Sequence, residues 1–307
     1  MALLYRNNLD IKVVGITGSV GKTSTKETIS YVLNKKYKVL KTEGNFNNEI
    51  GLPLTVFRLR DDDEVAVLEM GISDFGEMDR LSKIAQPDIS VITNIGLCHL
   101  ENLKTRDGIL KAKTEIFNNM KPDGIAILNG DDDKLITVDE VNGKKPERFG
   151  INYKDGVYAK DIENLGLSGT KFVISGLNCV DGCKDFEVTV PVPGHHMIYN
   201  ALAAACVGAA LELTSAQIAD GIADLKTISG RNNIIKTSKY TLIDDCYNAN
   251  PVSMKASVDV LDMAIGRKVC ILGNMYELGE DEKNLHYDVG QYIGTKNIDC
   301  LLYTSPS

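Results

Sequence analysis

The stretch GITGSVGKTSTKE, Gly15 to Glu27, carries the residue types that hold a phosphate. Glycines let successive backbone N–H groups point inward at an anion, a helix N-terminus adds positive potential, and a lysine reaches the terminal phosphates. Gly18, Ser19, Gly21, Lys22, Thr23 and Ser24 supply those parts. The strict spacing GxxxxGK[ST] asks for its first glycine at position 16, which is Ile16, and glycine stands one place earlier at Gly15. The order of strand, glycine-bearing turn and helix still fits a phosphate loop; the plainer reading is a glycine-rich turn with no ligand. Thr23 follows the lysine and has the hydroxyl that binds Mg²⁺ beside a nucleotide, or it only caps the helix.

Other residues invite two readings each. Glu69 ends an apolar run at the carboxyl end of a strand, where α/β sheets place ligands, and is otherwise a satisfied strand-end charge. His99 follows the next strand at a similar place, although most single histidines are structural. Lys111 and Lys113 read by themselves as helix-surface lysines. Asn45, after Gly44, is as much a turn residue as a ligand contact. Arg231 suits bidentate phosphate contact and Asp245 a ribose hydroxyl, and both are also plausible hinge charges. No Ser/His/Asp or Cys/His arrangement stands out, so no side-chain nucleophile is indicated.

The elements that must position these groups alternate. Strands are expected at 12–17, 37–41, 65–70, 89–93 and 124–128, with helices at 21–35, 74–85 and 105–120 between them. That order predicts an α/β fold with a parallel, doubly wound sheet. From 157 to 190 alternating runs broken by Gly and Asp predict a small antiparallel insert, followed by an Ala-rich helix at 197–213. After Gly230 the pattern restarts with strand 240–244, helix 252–264, strand 268–272, helix 281–292 and strand 299–303. We therefore expect two units, 1–229 as a P-loop central domain and 230–307 as a partial Rossmann-like α/β domain, with a C-terminus that looks cut and last residues, TSPS, that need not be native.

The 307 residues are 43% hydrophobic and 25% charged, with a formal charge of -8. That balance suits a globular protein and argues against one whose main work is gripping nucleic acid or an acidic membrane. Seven scattered cysteines without a CxxC pair indicate neither a disulfide framework nor a zinc site, and fit a reducing cytoplasm. No apolar stretch is long enough for a signal peptide or a membrane span.

Strings along nearly the whole chain resemble the Mur ligase family, the ATP-dependent amide ligases of peptidoglycan assembly. Besides the loop, these are TEGNFNNEIGLPLTVFRL (42–59), VLEMGISDFGEM (67–78), NIGLCHLENL (94–103), AKTEIF (112–117), GHHMIYNALAA (194–204), SGR (229–231), IDDCYNANPVSM (243–254) and GNMYELGE (273–280), in the family's order. NNEIG, YNANP and GNMxELG resemble the branch that joins D-alanyl-D-alanine to UDP-N-acetylmuramoyl-tripeptide more than the folylpolyglutamate or cyanophycin relatives. The resemblance implies ATP and two Mg²⁺ ions, with Thr23 and Glu69 on one, His99 on the second, and Lys113 carbamylated by CO₂ beside it. It implies catalytic work for Lys22, Lys113, His99 and Asn45. Asn200 is similar to the family's adenine-contacting Asn, although Met197 stands where the family often has Asn. Arg231 and Asp245 are implied to reach the nucleotide when the two domains close.

The implied reaction activates a carboxylate as an acyl phosphate, which an amine then attacks, leaving ADP and phosphate. The implied partners are those two small-molecule substrates, with no nucleic acid or membrane, for a monomer. The family pattern also implies a leading UDP-binding domain that these residues do not match, and a longer final domain. Competing readings are a nucleotide-binding fragment or subunit without ligase activity, and a P-loop kinase, which calls for a lid and a second acidic motif that are not found.

Overall fold

The computed structural model describes residues 1–303, apart from the side chain of Glu280; the expectation about TSPS falls at 304–307, outside the described residues. In chain order the first unit comprises α1 (Ala2–Asn7), β1 (Lys12–Thr17), α2 (Lys22–Leu33), β2 (Val39–Lys41), α3 (Gly51–Val56), β3 (Val65–Glu69), α4 (Glu77–Ala85), β4 (Ile89–Ile92), α5 (Leu100–Leu103), α6 (Arg106–Thr114) and β5 (Ile125–Asn129). It continues with β6 (Glu147–Gly150), β7 (Val157–Asn164), β8 (Thr170–Ser175), β9 (Asp185–Val190), α7 (His196–Ala210) and α8 (Ser215–Ala223).

Nine strands form one sheet in the order β2-β3-β1-β4-β5-β6-β7-β8-β9. The pairs from β2 to β7 are parallel and β7-β8-β9 is antiparallel. The antiparallel region expected at 157–190 is therefore a continuation of the main sheet, joined through β6, which the sequence pattern did not reveal. β1 reads KVVGIT, and its residues after Lys12 are all buried, as a central parallel strand requires. Val14 and Ile16 enter a core shared with α2, α7 and α8; Val13 enters a second core on the opposite face with Leu68, Ile92 and Ile116.

β1 lies between β3 and β4, with β2 beyond β3, so the strand order reverses at β1 and a crevice opens at its carboxyl end. The register pairs Ile16 with Glu69 and Thr17 with Ile92, which sets the ends of β3 and β4 on either side of the phosphate loop. Gly15, in contrast, is not a loop residue. It pairs with Leu68 and Ser90 inside β1, and a Cβ there would lie 3.0 Å from Met70 Cε and 3.1 Å from Pro87 Cγ. Its small size serves sheet-to-helix packing, and the loop's own glycines are Gly18 and Gly21.

The second unit holds β10 (Asn233–Lys236), β11 (Thr241–Asp244), α9 (Pro251–Asp262), β12 (Val269–Leu272), α10 (Glu282–Gly294) and β13 (Cys300–Tyr303). β10 and β11 form an antiparallel pair, where only the second strand was expected, and β12 and β13 a parallel pair. Asn250 caps α9 through its side chain, which accepts from Val252 N and Ser253 N, and Pro251 opens the helix. Met254, Val258, Met275, Leu285, Val289 and Ile293 make its core, against which Leu97 of the first unit packs.

Candidate active site

The phosphate loop is built by restraint from β4's end. Gly18 has φ +150°, and a Cβ there would lie 1.9 Å from Thr93 Oγ1, so the close approach excludes any other residue. Thr93 Oγ1 and Asn94 Nδ2 both donate to Val20 O, at 2.7 and 3.0 Å, while Asn94 Oδ1 accepts from Val20 N at 3.0 Å. Ser19 N donates to Asn94 O at 3.0 Å, and Gly96 N donates to Ser19 Oγ at 2.8 Å. Gly21, at φ +80°, is the N-cap of α2, so the helix's free N–H groups open at the loop. Lys22 Nζ donates to Gly18 O at 2.8 Å and Ser19 O at 3.3 Å. Burial pushes the Lys22 pKa down; Glu69 and Cys98 oppose that and Arg231 adds to it.

Glu69 is 2% exposed. Asn47 Nδ2 donates to its Oε1 at 2.8 Å, Thr42 Oγ1 accepts from its backbone N at 3.0 Å, and Oε2 is buried with no hydrogen-bond partner. A buried carboxylate oxygen facing nothing is costly unless a cation completes it, so this oxygen fits a hard divalent ion in the cleft that Thr23 also lines. Asn45, which the sequence reading put at the reaction, is exposed in the turn and does not line the cleft. Asn47, two residues on, is the one brought to Glu69, and Gly71 N donates to its carbonyl at 2.8 Å.

His99 is the N-cap of α5, with φ +51°, and lines the same cleft. Burial, then the nearby Lys113 and Lys22, push its pKa down against Glu277. Lys113 is not a surface lysine. It sits on α6 at 1% exposure, and burial first, then Lys22, lower its pKa to about 7. Lys113 is close enough for its charge to act on His99 and for that of Lys22 to act on it.

Asn200 is buried on α7, with Oδ1 accepting from Thr25 Oγ1 at 2.9 Å and Nδ2 donating to Met197 Sδ at 3.2 Å. It faces the start of α2, with Oδ1 3.6 Å from where a Cβ on Gly21 would be. Met197 thus takes up the Asn200 amide. From the second unit, Arg231 lays its guanidinium over the Tyr247 ring, 4.1 Å from the centroid. Asp245 Oδ1 accepts from Asn232 N at 3.1 Å and its Oδ2 from Ser257 Oγ. Both face a cleft of about 880 Å³ whose walls include Ser19–Thr25, Glu69, His99, Asn200, Arg231 and Asp245.

The cleft thus gathers Ser19, Gly21, Lys22, Thr23, Ser24, Glu69, His99, Asn200, Arg231 and Asp245, while Gly18 shapes the loop against Thr93, Lys113 is buried and Asn45 is exposed in its turn. Sequence reasoning missed Asn47, Thr93, Asn94 and Glu277, and gave Tyr247 and His286 no role. Asn94 and Thr93 end the TNIG run at a strand terminus, a signal available in principle; Glu277 had none, because its approach to His99 depends on how the two units pack.

The class defined here is a two-unit α/β protein with a glycine-bearing loop and a helix N-terminus at the carboxyl end of β1. The model for the Mur ligase middle domain matches residues 16–208, and that for the Mur ligase glutamate ligase domain matches 230–307. The chain belongs to the Mur ligase family. It is 40% identical over 302 residues to UDP-N-acetylmuramoyl-tripeptide--D-alanyl-D-alanine ligase of Bacillus subtilis, covering 97% of this chain and 64% of that one. A crystal structure of MurF from Acinetobacter baumannii superposes with TM-score 0.91 at 34% identity, over 98% of this chain and 65% of the other. MurF of Thermotoga maritima in complex with ADP gives TM-score 0.88 at 33% identity, over 99% and 69%. The chain therefore spans about two thirds of the length of these relatives. No helix among the described residues is long and apolar enough to cross a membrane.

Proposed function

We propose that the protein acts, as a cytoplasmic monomer with domains 1–229 and 230–307, in the ATP-dependent joining of D-alanyl-D-alanine to UDP-N-acetylmuramoyl-tripeptide. The observation that carries this reading is the facing of two sets of groups across one cleft: Lys22 and the partnerless Glu69 Oε2 on the first unit, Arg231 on the second. The named activity of the 40% identical relative supports the choice of substrates.

The tripeptide's terminal carboxylate attacks the γ-phosphorus of ATP, a P–O bond to ADP breaks, and an acyl phosphate forms. The amine of D-alanyl-D-alanine then attacks the acyl carbon, phosphate leaves with its electron pair, and the amine gives up a proton. Each stage gathers anions, so electrostatic stabilisation does most of the catalytic work. Gly18, Ser19, Gly21 and Ser24 hold the phosphates through the loop and the α2 N-terminus. Lys22 exchanges its bonds to Gly18 O and Ser19 O for charge-assisted bonds to the terminal phosphates. Arg231 brings a second cation from the other unit, Asp245 meets the ribose, and Asn200 borders the adenine side.

Thr23 and Glu69 would hold one Mg²⁺ and His99 a second, and such ions would neutralise phosphate charge. Lys113, whose pKa of about 7 leaves a large neutral fraction, can take up CO₂ as a carbamate with loss of one proton, and so turn a cation into a carboxylate-like group near His99. Asn47, rather than Asn45, is the asparagine that orients this side of the site.

ADP release, measured with the tripeptide precursor with and without D-alanyl-D-alanine, tests the reading. Turnover that needs both substrates supports a ligase. Nucleotide binding with no substrate-dependent turnover favours instead a nucleotide-binding unit that needs further polypeptide, a reading consistent with the 64% span of its relative.

A further inference from the structure

Among the described residues a histidine–carboxylate contact joins the two units: His99 Nδ1 lies 3.1 Å from Glu277 Oε2. Both residues have left-handed backbone, φ +51° and +61°, a conformation that non-glycine residues hold only where their surroundings fix it. Those surroundings are visible on each side. Leu97, two residues before His99, packs on the second unit's core. On the other side His286 fastens the loop that carries Glu277: its Nε2 accepts from Met275 N at 3.1 Å while Nδ1 faces Glu282 O at 2.8 Å.

A neutral imidazole carries one N–H, and the partner of one nitrogen decides which. Glu277 Oε2 is the partner of His99 at Nδ1. With a carboxylate at Nδ1, the proton belongs there, and Nε2 keeps its lone pair. Carboxylate–histidine pairs of this kind orient metal-binding histidines and raise their basicity.

We propose that Glu277 is a positioning residue: it holds His99 in the Nδ1–H tautomer, so that docking of the second unit readies Nε2 as a donor to a divalent cation. The inference rests on the reading of His99 as a cation ligand. It also gives the GNMYELGE loop a task at the first unit's site. Domain closure and cation binding are then linked through one side chain.

Long-range ¹⁵N–¹H spectra of the ¹⁵N-histidine-labelled chain, which has four histidines, report the tautomer of each. Titration with Mn²⁺ in the presence of ADP reports the cation. Glu277→Gly removes the carboxylate and keeps the left-handed backbone without strain, and Glu277→Gln retains an acceptor. Glu277 is mostly exposed, so neither change disturbs a core. We expect Nδ1–H at His99 in the parent chain and in Glu277→Gln, a shift towards Nε2–H in Glu277→Gly, and a fall of about tenfold in Mn²⁺ affinity in Glu277→Gly. An Nε2–H tautomer in the parent, or no change in Glu277→Gly, overturns the proposal. Unchanged Mn²⁺ binding in His99→Gln overturns the ligand reading and the proposal with it. Loss in His99→Gln with unchanged affinity in Glu277→Gly overturns the proposal alone.

Discussion

In the first unit the strands that carry the site, β1 and β3, are almost wholly buried, whereas in the second Ile271 of β12 and Leu302 of β13 are 70% and 52% exposed. The site groups differ in the same sense. Glu69 and Lys113 are fixed inside a packed core, and the loop around Lys22 is tied to β4's end by side chains of Thr93, Asn94 and Ser19. Arg231 stands at the second unit's edge, stacked on a half-exposed Tyr247. The contrast is one of setting: the first unit's groups are fixed by a packed core and by side-chain ties to β4, and those of the second stand on two short strand pairs and their loops.

The largest effect should come from the first unit. Lys22→Ala is expected to lower substrate-dependent ADP formation by about 10³-fold while leaving the fold intact by circular dichroism. Full activity in that variant breaks the comparison at its strongest point. Glu69→Gln should cost about 10²-fold and weaken Mn²⁺ binding, since the amide cannot complete the ion's charge. Lys113→Ala should fall similarly and recover in part with added short carboxylates; full activity without rescue rules out the carbamate. Because Lys113 has a pKa lowered to about 7, its neutral fraction grows as pH rises through that value. The ¹³C carbamate signal at fixed dissolved CO₂ should therefore strengthen from pH 6 to pH 8.

Changes in the second unit should be milder. Tyr247→Ala removes the face on which Arg231 lies and should raise the KM for ATP about fivefold, in line with roughly 1 kcal/mol for a cation–π contact. The smallest effect on chemistry should come from Asn200→Ala, which leaves the buried Thr25 hydroxyl without its partner and should lower stability by about 1–3 kcal/mol, read in urea melts. Hydrogen exchange sharpens the same contrast, with amides of β12 and β13 expected to exchange before those of β1 and β3.

How far the sequence reached follows the same contrast. The parallel order was legible because β-branched runs alternate with helical patterns, and the loop because its glycines, lysine and threonine are local in the chain. Gly15 shows the limit of local reading: it resembles a displaced loop glycine, and only the packing of Met70 and Pro87 against β1 shows that its role is in the sheet. Lys113 is the reverse case, a lysine whose burial no spacing rule announces because it depends on where α6 lies against the sheet. Asn45 and Asn47 sit in one turn, and choosing between them needed the position of Glu69. β6, β10 and α8 were missed because they are short, four residues in each strand and nine in the helix. Glu277 at His99 depends on how two units dock, which no local pattern encodes.

A crystal structure of the chain with ADP and Mn²⁺ tests the first unit's site most directly. We predict the β-phosphate within the Gly18–Thr23 loop and an anomalous Mn²⁺ peak at about 2.2 Å from both Thr23 Oγ1 and Glu69 Oε2. Nucleotide bound elsewhere, or a filled loop with no ion at Glu69 Oε2, would contradict it.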